Sequence, residues 1–215
     1  LTAAANDAYK RFIGPAIERE LRKELFDRAA GDAIKVFGTN LYHLLMAAPL
    51  RGRVVLGYDP GVRTGSKLAV VDENGKFLEK AHIYPLRGMQ YDPKGAKQTI
   101  INLVKKYGVS LVAIGNGTAS RESQSFVADI IKSDLPDLQY VVVNESGASV
   151  YSASDMARAE FPDLQVEQRS AISIARRLQD PMAELIKIDP QAVGVGQYQH
   201  DLPTKELETE LDAVL

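Results

Sequence analysis

The chain has 215 residues, of which 45% are hydrophobic and 25% are charged, as is typical of one or two globular domains. It contains no cysteine, which excludes disulfide bonds and thiolate metal sites. Its formal charge of −2 is not a basic signature, so strong non-specific nucleic-acid binding by the chain as a whole is not expected. No apolar run reaches the roughly 18 residues of a membrane helix, and the expected location is cytoplasmic.

The first part of the chain has a helical pattern. Over residues 1–48, apolar residues recur at spacings of three and four among charges of alternating sign. Gly14-Pro15 interrupts this pattern and suits the start of a new helix. Residues 49–52 mark a boundary. The chain begins at Leu1 and ends inside a helical pattern, so we expect it to be a piece of a larger protein.

Three strand patterns follow the boundary. The first apolar run starts near Val54 and ends at Asp59, before a Pro-Gly turn. The second run covers Lys67–Val71 and the third covers Phe77–Tyr84, with the hairpin signal Asn74-Gly75 between them. This meander places the Asp59 carboxylate at the C-terminal end of the first strand. A carboxylate at such a position can bind a divalent metal or orient a phosphate.

Helix and strand patterns alternate up to residue 180. We predict a loop at 89–95, a helix at 96–107, a buried strand at 111–114, a helix at 120–135 capped by Ser120, a buried strand at 140–143, and helices at 149–161 and 167–179. Buried strands separated by helices indicate a parallel sheet covered on both faces. The fold class predicted is therefore α/β, a ribonuclease-H-like mixed five-stranded sheet flanked by helices. Helical extensions are expected at both ends, the second with a loop at 194–203.

The carboxyl ends of the parallel strands should meet at one edge of this sheet, where ligands bind. Asp59, Asn116 and Glu145 all fall there. Two-metal cleavage of a phosphodiester needs several carboxylates around two cations. Asn116 is neutral, and Arg169 in the next helix would repel a metal. These residues predict no cofactor, or at most one weakly bound Mg²⁺ or Mn²⁺.

Each candidate also has a structural interpretation. Asp59 suits the capping of its own turn, and Glu145 suits the cap of the helix that follows it. The loop Gly115-Asn116-Gly117-Thr118 either cradles a phosphate at a helix N-terminus or makes only a tight strand-to-helix turn. A candidate nucleic-acid-binding patch, which could equally be solvated helix surface, consists of Arg158, Arg169, Arg176 and Arg177.

Longer strings make the comparison with a known family specific. In residues 57–65, 113–122, 145–154, 171–181 and 194–201, the chain resembles the Tex family of bacterial transcription accessory proteins. The resemblance covers essentially the whole chain. It implies that residues 51–180 are a YqgF domain related to the RuvC Holliday-junction resolvase. Residues 1–50 would end a preceding helical region, and residues 181–215 would lead toward a helix-hairpin-helix domain.

The resemblance also implies a function. The full protein would bind nucleic acid mainly through domains outside this chain, such as an OB-fold RNA-binding domain, and would meet the transcription machinery but no membrane. Of the acids of RuvC-type nucleases, Asp59 and Glu145 are retained, whereas Asn116 and Arg169-Ser170 depart from the pattern. We therefore expect a vestigial nuclease site in a scaffold and interaction domain without catalysis.

Two other functions stay open at this point. A metal-dependent nuclease would use Asp59 and Glu145 with a further acid, and converging carboxylates would support it. The candidates for that further acid are Asp72, Asp155 and Asp180. An actin-like ATPase also opens with an aspartate-glycine strand and a hairpin. It needs phosphate loops and an adenosine pocket, for which Gly115–Thr118 is the single candidate.

Overall fold

The computed structural model describes residues 2–88 and 90–215. Within it the chain forms two compact units. The larger unit is His43–Gly194, and the smaller one combines the residues up to Tyr42 with Val195–Leu215. The division at residues 50 and 180 that the sequence suggests concerns domains of a longer protein, and it stays a prediction.

A mixed five-stranded sheet forms the centre of the larger unit. Its strands are β1 (Val55–Asp59), β2 (Ser66–Val71), β3 (Phe77–Ile83), β4 (Leu111–Gly115) and β5 (Gln139–Val143). The strand order is β3-β2-β1-β4-β5. Strands β1, β4 and β5 run parallel, whereas β1–β2 and β2–β3 pair antiparallel. This order and these directions confirm the ribonuclease-H-like α/β fold.

Helices cover both faces of this sheet. They are α3 (Pro93–Tyr107), α4 (Ser120–Asp134), α5 (Ala148–Ala153), α6 (Asp155–Glu160), α7 (Val166–Gln179) and α8 (Pro181–Leu185). One hydrophobic core joins one face of β1, β2 and β4 to α3 and α4. A second core joins the opposite face to α5 and α7. Two cores form because successive side chains of a strand point to opposite faces.

Two predictions about β5 and the following helix are wrong. Strand β5 is not buried, since Tyr140, Val141 and Val142 are 37–42% exposed. It lies at the edge of the sheet and pairs only with β4. The helix predicted over 149–161 is divided into α5 and α6, because Ser154 is extended at φ −68° and ψ 159°. Its hydroxyl accepts a hydrogen bond from the Ala157 N–H at 3.2 Å and so caps α6.

Two predicted helix starts also differ. Ser120 is the first residue of α4 rather than its cap, a position that Ala119 takes with a φ of +68°. The predicted loop at 89–95 ends earlier, at Asp92, whose Oδ1 accepts the Gly95 N–H at 2.9 Å and caps α3. Met89, which the same prediction included, lies outside the described residues.

The smaller unit is helical. It contains α1 (Thr2–Ala8), a π-helical turn (Tyr9–Ile13), the part of α2 (Gly14–Leu45) up to Tyr42, and α9 (Thr204–Asp212). A new helix, α2, begins at Gly14 as the Gly14-Pro15 signal predicts, but the chain stays helical across this point, because Gly14 keeps helical angles and follows a π-helical turn. Asn40 donates a hydrogen bond to the Val195 carbonyl at 2.7 Å. No helix in residues 2–88 and 90–215 is long and apolar enough to cross a membrane.

Gly57 in β1 allows α7 to pass directly over the strand. A Cβ at this position would overlap the carbonyl oxygen of Ala171 and lie 3.1 Å from the Cβ of Ala175. We expect Gly57→Ala to destabilise the protein by about 1–3 kcal/mol, since the main chain of α7 must shift. Urea denaturation followed by circular dichroism measures this loss.

The matched control is Gly31→Ala in α2, where no atom lies within 4 Å of the added methyl group. This variant should gain about 0.5–1 kcal/mol from helix propensity. Equal effects of the two substitutions would contradict the proposed close approach of α7.

Candidate functional site

Asp59 is the last residue of β1 and is half-buried. Burial raises the pKa of its carboxyl group, against a hydrogen bond from the Ser170 hydroxyl and the positive charge of Lys67. The expectation that Asp59 caps its own turn is not met, since the Gly61 N–H donates to Ser66 Oγ at 3.3 Å instead. The hydroxyl that donates to Asp59 therefore comes from Ser170 in α7, which lies far from Asp59 along the chain.

Glu145 follows β5 by two residues and lies close enough to Asp59 for their charges to interact. Burial raises the pKa of Glu145, and the charge of Asp59 adds to this rise. A hydrogen bond from the Gly117 N–H and the charge of Arg177 oppose it. Oε2 of Glu145 is buried and has no hydrogen-bond partner among the described residues.

The glycine loop between β4 and α4 surrounds the Glu145 carboxylate. A Cβ at Gly115 or at Gly117 would overlap the two carboxylate oxygens of Glu145. The Asn116 Oδ1 accepts the main-chain N–H of Glu145 at 3.1 Å. The predicted phosphate loop, Gly115 to Thr118, thus already holds an anion from the chain itself. An ATPase function loses its single phosphate-loop candidate.

Lys67 supplies a positive charge beside these carboxylates. It lies directly opposite Asp59 in the β1–β2 register and is 7% exposed. Its ammonium donates to Thr64 Oγ1 and, at 3.1 Å, to the Gly65 carbonyl, and lies 3.5 Å from Glu167 Oε2. No sequence motif singled out this lysine as a site residue. The antiparallel register of the meander was the signal that could have identified it.

The first turn of α7 brings one further acid, Glu167, close enough to Asp59 for its negative charge to raise the pKa of that carboxyl group. Ser170 donates its hydroxyl to Asp59, and Glu167 pairs with Lys67. Arg169 was expected to repel a metal, but its guanidinium is 5% exposed and binds the carbonyls of Phe161 and Ser152 at 3.1 and 3.2 Å.

The further acids considered for a nuclease lie elsewhere. Asp72 caps the β2–β3 turn at the opposite edge of the sheet, accepting the Asn74 N–H at 2.9 Å. Asp180 caps α8 through the Ala183 N–H at 3.2 Å, and Asp155 is an exposed partner of Arg158. Within residues 2–88 and 90–215, no three His, Asp or Glu side chains converge as a metal site.

The four arginines predicted as a nucleic-acid-binding patch do not form one surface. Arg169 and Arg177 are each 5% exposed, because α7 is packed on most of its circumference rather than on one face. Arg177 binds the carbonyls of Asn144 and Ser146 at 2.8 and 2.7 Å, and burial lowers its pKa to about 10. Arg176 binds Glu160, and only Arg158 is largely exposed. Nucleic-acid contacts by Arg158 and Arg176 stay a prediction.

The raised pKa values of Asp59 and Glu145 predict how stability depends on pH. A carboxyl group with a raised folded-state pKa binds its proton more tightly in the folded protein. The contribution of these two groups to stability is therefore greatest below the unfolded pKa of about 4 and is lost as pH rises through the folded pKa. Asp59→Asn and Glu145→Gln should lose less stability than the wild type between about pH 4 and pH 7. Urea denaturation in EDTA measures these profiles.

Asp155→Asn is the matched control, because Asp155 is exposed and pairs only with Arg158. Its pH profile should run parallel to that of the wild type. If the Asp59 and Glu145 variants also ran parallel to the wild type, the two carboxylates would not be destabilised by burial.

The comparisons with known proteins agree on one family. The family model for the Tex protein YqgF-like domain matches residues 53–179. The chain is 55% identical to uncharacterised protein YdcI of Bacillus subtilis, over 100% of this chain and 30% of that protein. It is 48% identical to transcriptional accessory protein Tex of Neisseria gonorrhoeae, over 93% of this chain and 26% of that one. Identity to human S1 RNA-binding domain-containing protein 1 is 41%, over 98% and 21% of the respective chains.

The chain thus spans less than a third of the length of these relatives. Among solved structures, the nuclease domain of the large terminase subunit gp2 of bacterial virus Sf6 aligns over 84% of this chain and 79% of that one. Its identity is 14% and its TM-score is 0.33. The family match includes all five strands, Asp59, Glu145 and α7, and the chain belongs to the Tex protein YqgF-like domain family.

Proposed function

We propose that this chain is a nuclease-fold domain that does not cleave nucleic acid and serves as a scaffold and interaction surface. Its setting would be a longer, cytoplasmic transcription accessory factor that binds nucleic acid. The names of two relatives support this setting, since one is a transcriptional accessory protein and another contains an S1 RNA-binding domain. The transcription machinery is a further proposed partner of the longer protein.

The charge balance around Asp59 and Glu145 carries the proposal. Two-metal cleavage requires carboxylates that hold two divalent cations on either side of the phosphate. Here the two carboxylates have Lys67 and Arg177 beside them, both buried and fixed by hydrogen bonds to main-chain carbonyls. These fixed positive charges support the proposal, because they offset the two carboxylates as bound metal ions would in a nuclease.

The remaining oxygens would hold at most one divalent cation, bound weakly. Glu145 Oε2 has no partner among the described residues and the charge of Asp59 acts on it, and Mg²⁺ and Mn²⁺ prefer carboxylate oxygens. Such a cation would polarise a phosphoryl oxygen if nucleic acid were bound. The unpaired Oε2 of Glu145 and the negative charge of Glu167 near Asp59 are the observations that favour a metal-dependent nuclease, the alternative function.

Titration with Mn²⁺ tests this charge balance. We expect at most one ion per chain with a dissociation constant on the order of millimolar, and no binding to Asp59→Asn. Lys67→Met should tighten binding by about tenfold or more, because it removes a nearby positive charge. Electron paramagnetic resonance of free Mn²⁺ gives these affinities.

Lys97→Met is the control for the loss of one lysine charge, since Lys97 pairs with Asp134 away from the two carboxylates. It should leave Mn²⁺ affinity within about twofold of the wild type. Two ions bound at micromolar concentration by the wild type would overturn the charge argument.

Cleavage assays test the absence of catalysis. Labelled branched, single-stranded and duplex substrates are incubated with the chain in Mg²⁺ and in Mn²⁺, with a RuvC-type resolvase as the positive control. We expect no turnover above the enzyme-free rate, because two carboxylates beside fixed cations do not hold two metal ions. Turnover that disappears in Asp59→Asn would establish the metal-dependent nuclease instead.

A further inference from the structure

Two loops of the larger unit and the first turn of α4 meet at the edge of the sheet that carries Asp59. Val62 from the β1–β2 turn, Arg87 and Tyr91 from the β3–α3 loop, and Glu122 from the first turn of α4 line one open cavity of about 400 Å³. Arg63 and Arg121 adjoin Val62 and Glu122 in the chain. We call Arg63, Arg87 and Arg121 the arginine rim.

The guanidinium groups of the arginine rim are free. All three residues are exposed, and their side chains make no hydrogen bond or ion pair with any residue of the described ranges 2–88 and 90–215. Arg22 and Arg176, by contrast, each bind a glutamate. A free guanidinium offers a planar set of donors that fits a phosphate group. Two of these arginines are on separate loops and the third, Arg121, is in the first turn of α4, an arrangement that suits several phosphates of one strand.

Aromatic rings lie among these charges. Tyr91 lines the cavity and is 52% exposed. His82 stacks on Tyr84 with ring centroids 4.6 Å apart, and the His82 ring also contacts the carbonyl of Thr64, next to Arg63. Proteins that bind single strands combine a basic groove with aromatic rings on which bases stack. Duplexes keep their bases stacked within the helix and cannot use such rings.

We propose that the arginine rim and Tyr91 bind single-stranded nucleic acid, with phosphates on the arginines and a base on the tyrosine. The proposal rests on the nucleic-acid-binding role given above, and it names the surface in this domain. The proposed surface uses the three exposed arginines of the rim, whereas two of the arginines of α7 are buried.

Glu122 sets the strength of this binding. Its carboxylate lines the same cavity, is exposed, and forms no ion pair within the described residues. It repels the same phosphates that the rim attracts. With a net charge of −2 on the chain, binding is therefore expected to be in the micromolar range or weaker at physiological salt.

Fluorescence anisotropy with labelled 12-nucleotide oligo-U and oligo-dT tests the proposal at about 50 and 150 mM salt. Replacing all three rim arginines by alanine should weaken binding at least about tenfold and reduce the logarithmic salt slope by about 2, since each single-strand phosphate contact contributes about 0.7. Tyr91→Ala should weaken binding about fivefold or more through lost stacking. Glu122→Gln should tighten binding about twofold or more by removing the repelling charge.

The control replaces Arg11, Arg19 and Arg22 on the helices of the smaller unit by alanine, which changes the net charge by the same amount. It should alter affinity less than about twofold. Circular dichroism and urea denaturation check that each variant is folded, and the single variants Arg63→Ala, Arg87→Ala and Arg121→Ala should each show part of the loss.

Three results would overturn the proposal. They are equal losses in the rim and control variants, no binding of either oligonucleotide up to about millimolar concentration, and tighter binding of a 12-base-pair duplex than of the single strands. Cleavage in the assays above would overturn the non-catalytic function and leave the rim standing. Failure of the arginine rim to bind single strands would not affect the proposal that the domain does not cleave nucleic acid. The two failures are therefore distinguishable.

Discussion

Hydrogen bonds from the side chains of α7 to main-chain carbonyl groups hold the larger unit together. Arg169 binds the segment around α5 and α6, and Arg177 binds the turn after β5. Arg176 binds the β2–β3 turn, and Gln179 reaches the carbonyls of Arg53 and Asp72. A buried carbonyl without a donor costs about 1–3 kcal/mol, so these contacts stabilise several loops at once. The position of α7 in turn brings Ser170 to Asp59.

The same arrangement explains why the acidic edge of the sheet is compatible with folding. Burial raises the pKa of both Asp59 and Glu145, and a neighbouring negative charge adds to each rise, that of Glu167 at Asp59 and that of Asp59 at Glu145. Lys67 on the neighbouring strand and Arg177 on α7 offset part of this cost. The fold therefore tolerates two half-buried acids through its own cations, and a nuclease of this architecture would rely on metal ions for the same purpose.

Features that depend on local pattern could be predicted from the sequence. The strands of the meander, the Asn74-Gly75 turn and the C-terminal position of Asp59 follow from runs of a few residues. The burial of Arg177 and the exposure of β5 could not be predicted, because both depend on which elements pack around them. Lys67 is intermediate, since its place opposite Asp59 follows from strand register but its burial does not.

The glutamate in the glycine loop has a consequence for competition between anions. Glu145 is attached to the same chain as Gly115 and Gly117, so its effective concentration at the loop exceeds that of any dissolved phosphate. To bind at this loop, a free nucleotide would have to displace the carboxylate of Glu145, which is covalently part of the same chain. The Glu145 carboxylate thus occupies the space at the loop that a phosphate would need. With this one side chain in place, Gly115–Thr118 acts as a structural turn and not as a site for a free anion.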